Sequence, residues 1–172
     1  MNYCGITAPD IANGTGCRVV LWISGCNHHC KGCHNPETWD YKYGNKFDDD
    51  AINTILNWLD KSYIKGLTIS GGDPLDRPIN ELTEILELCK IVKSRYPDKD
   101  IWIYTGYTYE HFFNMTDDVD KNNNKLVCQE IFSYCDTLVD GPYMEDLRDL
   151  SIPFRGSKNQ RVIDLKLTMH NI

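Results

Sequence analysis

No run of 18 apolar residues occurs in this 172-residue chain, so no membrane-spanning helix is expected. The first residues, "MNYCGITAPD", lack a basic stretch followed by an apolar one, and no secretory leader is expected. The expected location is therefore the cytoplasm. Lysine and arginine form no cluster, and the net charge is −7. Binding a phosphate backbone needs concentrated positive charge, so no nucleic-acid partner is expected. A small nucleotide-like ligand needs only a pocket and stays open. Internal repeats and low-complexity tracts are also missing. What is there, 41% hydrophobic and 25% charged residues, fits one globular domain over residues 1–172.

Against these absences stands an excess of cysteine. Eight are present. In a reducing compartment they stay as thiols, bind metal or react, rather than forming structural disulfides. Cys4, Cys17, Cys89, Cys128 and Cys135 are scattered and read as buried or idle thiols. Cys26, Cys30 and Cys33 are not scattered. They lie in "SGCNHHCKGCHNPETW", residues 24–39, with the spacing C-x₃-C-x₂-C and three histidines among them. A thiolate wants a soft cation, and iron or zinc supplies one. Three readings follow from spacing alone. One is structural zinc held by three cysteines and one of His28, His29 or His34. Another is a set of reactive, metal-free thiols. The third is a [4Fe–4S] cluster with three protein ligands, which leaves one iron open to a small ligand.

Strands and helices alternate along the chain. "RVVLWIS" (18–24), "GLTISGGDP" (66–74), "DIWIYTGY" (100–107) and "DTLVDGPY" (136–143) read as short buried strands, each ending near a glycine. "FDDDAINTILNWLD" (47–60) and "PINELTEILELCKIVKSRYP" (78–97) carry apolar residues at helical spacing. A short helix is expected near 108–114. The polar segment "TDDVDKNNNK" (116–125) is expected to be an exposed loop, or one with helix beginning late in it, before the helical "KLVCQEIFSYC". The alternation predicts an α/β fold with a mostly parallel sheet. Gly25 with the cysteines, Gly71-Gly72-Asp73, Thr105-Gly106 and Asp140-Gly141 fall at carboxyl ends of strands, where such sheets gather ligands. A full eight-fold barrel needs roughly 250 residues, so only an open part of one is expected.

The cysteine spacing after a first strand resembles the radical S-adenosylmethionine superfamily. "SGGDP" (70–74) resembles that superfamily's glycine-glycine-acid motif, although alone it is a common turn. The resemblance implies a partial β/α barrel. It also implies a [4Fe–4S] cluster held by Cys26, Cys30 and Cys33, with S-adenosylmethionine on the open iron. Reductive cleavage would then give methionine and a 5′-deoxyadenosyl radical. Gly71, Gly72 and Asp73 would meet the methionine end, with Asp73 offering a carboxylate to an ammonium group. Many members carry an aromatic residue just before the third cysteine; here it is Gly32, so adenine packing must come from elsewhere. Backbone around Gly32, Cys33 and His34 is available for it.

Gly32 also narrows the family. "CNHHCKGCHNPETW" resembles the cluster loop of the anaerobic ribonucleoside-triphosphate reductase activating proteins. "DIANGTGCRVVLWISGC" (10–26), "SGGDPL" (70–75), "KDIWIYTGY" (99–107), "LVDGPY" (138–143) and "DLRDLSIPFRGSKNQRVID" (146–164) follow in family order. The resemblance implies hydrogen abstraction from a glycine Cα of the reductase, which stores a glycyl radical. The implied partners are that catalytic subunit and a low-potential reductant such as flavodoxin or ferredoxin.

Thr105 and Asp140 are positioned to reach the ribose or the substrate, or simply to form turns. Arg155, Gly156, Asn159, Gln160 and Arg161 form a polar block that meets the partner or seals the pocket. The three loop histidines read as lining rather than ligands, and His111 and His170 as ordinary. Two alternatives stand beside this reading: an activase of another glycyl radical enzyme, and a zinc-stabilised binding module.

Overall fold

The computed structural model describes residues 1–169; His170 lies outside them. The chain runs β1 (Asn2–Asp10), β2 (Cys17–Ile23), β3 (Asn45–Lys46), α1 (Asp49–Leu59), β4 (Ile64–Gly71), α2 (Ile79–Arg95) and β5 (Asp100–Tyr104). It continues through α3 (Val119–Tyr134), β6 (Thr137–Asp140), β7 (Arg161–Asp164) and α4 (Leu165–Met169). The strands form one sheet in the order β3-β1-β2-β4-β5-β6-β7. The central β2, β4, β5 and β6 are mutually parallel. β1 and β7 add to them antiparallel at the two sides, and β3 pairs antiparallel with β1. The sheet is open, and the expected α/β class with a mostly parallel sheet is what the chain builds.

The four parallel strands are the four expected from sequence. β1, β3 and β7 were not expected. β1 and β7 are half-exposed or exposed along their length, so they carry no apolar run that separates a strand from a loop. The expected loop at 116–125 is corrected: α3 begins at Val119, and only its first residues are loop. Asp118 caps the helix by accepting from the Lys121 amide at 3.1 Å. Asn124 ties it to the Arg77 carbonyl at 3.3 Å. Asparagine is a poor helix former; burial of Cys128, Ile131 and Phe132 on one face outweighs that preference. The short helix near 108–114 is a single 3₁₀ turn, Tyr109–Phe112.

Alternation along the strands divides the sheet into two faces. Val19, Leu21 and Ile23 of β2, Leu67 and Ile69 of β4, and Ile101 and Ile103 of β5 are fully buried in the main core. Leu82, Ile85, Cys89 and Val92 of α2 and Ile131 and Phe132 of α3 belong to the same core. The intervening residues, among them Thr68, Ser70, Trp102 and Tyr104, point to the face without helices. The candidate site forms on that face, at the strands' carboxyl ends.

The amino-terminal end of the same face is closed by Arg18, which is fully buried. Its guanidinium meets Asp100 at 2.6 Å and donates to Thr68 Oγ1 at 2.7 Å and the Leu67 carbonyl at 2.8 Å. It also lies 5.3 Å from the Trp102 ring centroid. Removing one partner of such a pair leaves the other charge uncompensated. Arg18→Met should therefore lower unfolding stability by about 3 kcal/mol, read from urea denaturation. The double variant with Asp100→Asn should lose less than the sum of the two single losses. Strict additivity would show that the pair is not coupled.

Candidate functional site

The cysteine loop leaves β2 and returns to its own base. The Gly25 amide donates to the Thr38 carbonyl at 2.6 Å, and the Cys26 amide to the Trp39 carbonyl at 3.2 Å. The 3₁₀ turn Pro36–Trp39 thus closes the loop. Within it, the Cys33 amide donates to the Cys30 carbonyl at 3.1 Å, a four-residue turn with Gly32 at its third position. Gly32 has φ 74°, the left-handed conformation that a type II turn demands there. Turn geometry alone therefore accounts for glycine at this position.

The second motif is stitched to the first through the backbone. The Gly72 amide donates to the Ile23 carbonyl at 2.7 Å, and the Asp73 amide to the Gly25 carbonyl at 2.8 Å. A Cβ on Gly72 would strike the Gly25 carbonyl oxygen and come within 3.0 Å of the Thr38 oxygen. The close approach of the two loops thus requires glycine. Together they place Cys26, Cys30, Cys33, Gly71, Gly72 and Asp73 around one cavity, which Thr105 also lines.

Asp73 is 1% exposed, and its carboxylate is filled from within the chain. Oδ1 accepts from the Leu75 amide at 2.8 Å, and Oδ2 from the Gly106 amide at 2.9 Å. The Thr105 hydroxyl donates to it at 3.0 Å, and His28 Nε2 lies 2.7 Å from Oδ2. Facing a carboxylate, that ring nitrogen carries the proton. The hydrogen bond to Asp73 pushes the His28 pKa up, against the opposing effect of burial. Asp73 therefore braces three segments: its own turn, the cysteine loop, and the two residues that follow β5. A carboxylate offers about four acceptor positions, and these donors occupy them.

Three of the expected residues do not line the cavity. Gly32 and His34 are on the exposed outer side of the loop, His34 with its ring 5.8 Å from that of Tyr143. Asp140 is buried and committed elsewhere: it accepts from Arg161 Nε at 2.9 Å and from the Tyr109 amide at 2.7 Å. It anchors β7 to β6. His29 is exposed and packs on Trp39, 4.8 Å between centroids.

Several lining residues carried no signal in the sequence. Thr38, Trp39, Ser70 and Tyr104 reach the cavity through strand parity and loop closure. Tyr143 and Gln160 also line it. Gln160 belongs to the polar block, so part of that block closes the pocket. Its Nε2 donates to the Gly141 carbonyl at 3.0 Å, and its Oε1 accepts from the Gly156 amide at 2.9 Å.

The donor set suits a polynuclear cluster. Cys26, Cys30 and Cys33 border one cavity. A cluster takes each thiolate at a different iron. Burial first, with the nearby Asp73 and Asp76 carboxylates adding to it, pushes the Cys26 thiol up to about 11, and burial raises Cys30 as well. Loading a cation on them must therefore release protons. Trp39 and Tyr104 line the cavity, with Trp39 Nε1 and the Tyr104 hydroxyl buried. The thiols present thus fit a cluster, and the cavity beside them leaves room for a small molecule. Of the other five cysteines, Cys89, Cys128 and Cys135 are buried, and Cys4 and Cys17 are half-buried.

Comparison with known proteins agrees with this chemistry. The family described as "4Fe-4S single cluster domain" matches residues 12–163. An anaerobic ribonucleoside-triphosphate reductase-activating protein of Enterobacteria phage T4 is 41% identical over 162 residues, covering 94% of this chain and 93% of the relative. The Haemophilus influenzae protein of the same name is 41% identical over 169 residues, 97% of this chain and all of the relative. That of Escherichia coli K12 is 37% identical over 168 residues, 96% of this chain and all of the relative.

Proposed function

Because the chain belongs to the family of anaerobic ribonucleoside-triphosphate reductase-activating proteins, we propose that it activates such a reductase as a radical S-adenosylmethionine enzyme. The observation that carries the reading is the cavity itself. Three cysteines and the Gly71-Gly72 turn line it together, at the carboxyl edge of the parallel strands. In this reading the sheet is a partial barrel of the radical S-adenosylmethionine type, one domain over residues 1–172, working in the cytoplasm.

Cys26, Cys30 and Cys33 would hold a [4Fe–4S] cluster. Three protein ligands leave one iron for S-adenosylmethionine. When bound, the two groups supply reductive cleavage to methionine and a 5′-deoxyadenosyl radical, which removes a hydrogen from a glycine Cα of the reductase. The chain's own residues do the positioning. The Gly71-Gly72 backbone offers close approach to the methionine end. Asp73 keeps the two loops and Thr105 in register rather than spending its carboxylate on the ligand. Trp39 and Tyr104 form part of the walls. Gly32, His34 and Asp140 act at one remove, through the turn, the Tyr143 contact and the β6–β7 anchor. The open sheet leaves room for a peptide loop as substrate. A low-potential donor such as flavodoxin or ferredoxin would provide the electron.

The test is anaerobic. Purified protein should be brown, with about four irons per chain, and should form 5′-deoxyadenosine on adding S-adenosylmethionine and a strong reductant. Mixing with the cognate reductase should give a glycyl radical by electron paramagnetic resonance. A colourless protein holding zinc would sink the reading. Cofactor cleavage without a reductase radical would point instead to another glycyl radical enzyme as partner.

A further inference from the structure

A second cavity, of 430 Å³, opens beside the first. Its floor is apolar, formed by Leu75, Phe112 and Cys128, and its polar walls include Arg77, Lys121 and Lys125. It shares structure with the cofactor cavity. Leu75 and Asp76 follow directly on the Gly71-Gly72-Asp73 turn. Tyr107, also in its wall, meets the His28 ring at 4.5 Å and stacks on His111 at 4.2 Å. His28 in turn lines the cofactor cavity.

Lys125 is the unusual member. Three cationic residues are buried among those described: Arg18, Arg77 and Lys125. Arg18 has Asp100 at 2.6 Å, and Arg77 has Glu81 at 2.6 Å. Lys125, 8% exposed, donates to the Asn114 carbonyl at 2.5 Å, and no carboxylate among the described residues pairs with it. An ammonium has three donors, so two are left over on a buried charge. Leaving such a charge unpaired is costly. The only carboxylate in the cavity wall is Asp76. It already accepts from the Tyr107 hydroxyl at 3.2 Å and the Asn27 amide at 3.0 Å. Arg77 and Lys121 in the same wall have their own carboxylates, Glu81 at 2.6 Å and Asp118 at 3.3 Å, so the unmatched positive charge of this wall is that of Lys125. The His111 imidazole feels it: burial first, then the charge of Lys125, push its pKa down.

We propose that this cavity seats an acidic side chain of the polypeptide substrate, its carboxylate received by Lys125 and Lys121 as the chain crosses the mouth of the cofactor cavity. The proposal rests on the activase reading above. The floor of Leu75, Phe112 and Cys128 suits the aliphatic stem of a glutamate, and the unpaired Lys125 ammonium suits its head. Occupancy here would hold the neighbouring backbone against Tyr107, on the border of the cofactor cavity. That is where a glycine must be presented.

The test compares wild-type holoprotein with Lys125→Met, Lys125→Arg and the surface variant Lys121→Glu, each titrated anaerobically against the cognate reductase. Lys125→Met keeps the stem and removes the charge. Its affinity should fall by about tenfold or more, while 5′-deoxyadenosine formation without reductase stays at the wild-type level. Lys125→Arg should retain most of the affinity. Lys121→Glu, at an exposed position where it gives up only the surface pair with Asp118 at 3.3 Å, should also bind more weakly, and wild-type binding should weaken with salt. Inorganic phosphate and ATP serve as free-anion probes and should compete poorly. Equal affinity of wild type, Lys125→Met and Lys121→Glu overturns the assignment while leaving the activase reading intact. Phosphate or ATP binding that is lost in Lys125→Met, with reductase affinity unchanged, also overturns it, in favour of a free-anion site. No binding of reductase by the wild type sinks the activase reading and this proposal with it.

Discussion

Alanine at any one of Cys26, Cys30 and Cys33 should give a folded protein that forms no 5′-deoxyadenosine above the blank. Each thiol reaches the cavity from its own part of one loop, and the loop's base is held by Gly25 and Cys26 amides rather than by the sulfurs. The fold should therefore survive the substitution. Losing an outer partner of a metal site costs about 10–100-fold. Losing one of three direct ligands must cost more, so activity should drop by well over a hundredfold, along with the iron content and the brown colour. Cys17→Ala is the matching control. Cys17 opens β2 and does not line the cavity, so its loss should leave iron and product near wild-type levels. Iron and activity retained in Cys26→Ala, Cys30→Ala or Cys33→Ala would show that the cluster is held elsewhere.

Asp73→Asn should produce the second largest effect, by a different route. The substitution keeps size but turns one acceptor oxygen into a donor. Both oxygens of Asp73 face backbone amides, Leu75 on one side and Gly106 on the other. Whichever way the new amide is turned, its NH₂ meets an N–H. A buried donor left unpaired costs about 1–3 kcal/mol, which thermal or urea unfolding would register. His28 and Thr105 lose their charged acceptor at the same time. The cysteine loop and the turn after β5 are then held less firmly, and 5′-deoxyadenosine formation should fall by about 10–100-fold. Asp73→Glu should not rescue, because the longer side chain cannot keep four short bonds in a closed site. If Asp73→Asn forms product at the wild-type rate with unchanged stability, Asp73 is not the brace described.

Much of the architecture was legible in the sequence. The parallel strands at the centre of the sheet are buried on both sides, so they read as short apolar runs with glycine at their ends. α1 and α2 carry their burial pattern at helical spacing, and Asp48 caps α1 by accepting from the Ala51 amide at 3.1 Å. The edge strands β1 and β7 were illegible because strand pairing is a backbone interaction and leaves no apolar signature on an exposed edge. α3 was misread at its start because asparagine and lysine look like loop until the helix is seen packed against α2. Lys125 shows the difficulty in one residue: in "NNNK" it looks solvated, yet it is buried.

The candidate site divides along the same line. Three thiols at C-x₃-C-x₂-C, a glycine turn after the next strand and an acid beside it are local patterns, so one chain of residues sufficed to nominate them. Even Gly32 belongs to that class, since its φ is a property of a four-residue turn. What only the tertiary structure decided is which partner each polar group meets. Asp73 is taken by His28, Thr105 and the Gly106 amide, all distant in sequence, besides the Leu75 amide of its own turn. Asp140 is taken by Arg161 from β7. Trp39, Tyr104 and Gln160 come to the cavity from three separate elements. The second cavity exists only where α3 lies beside the turn that follows β4. Spacing along the chain determines which groups can share a turn. A buried charge or hydrogen bond is satisfied by whatever the fold brings within about 3 Å, and that depends on the packing of the whole sheet.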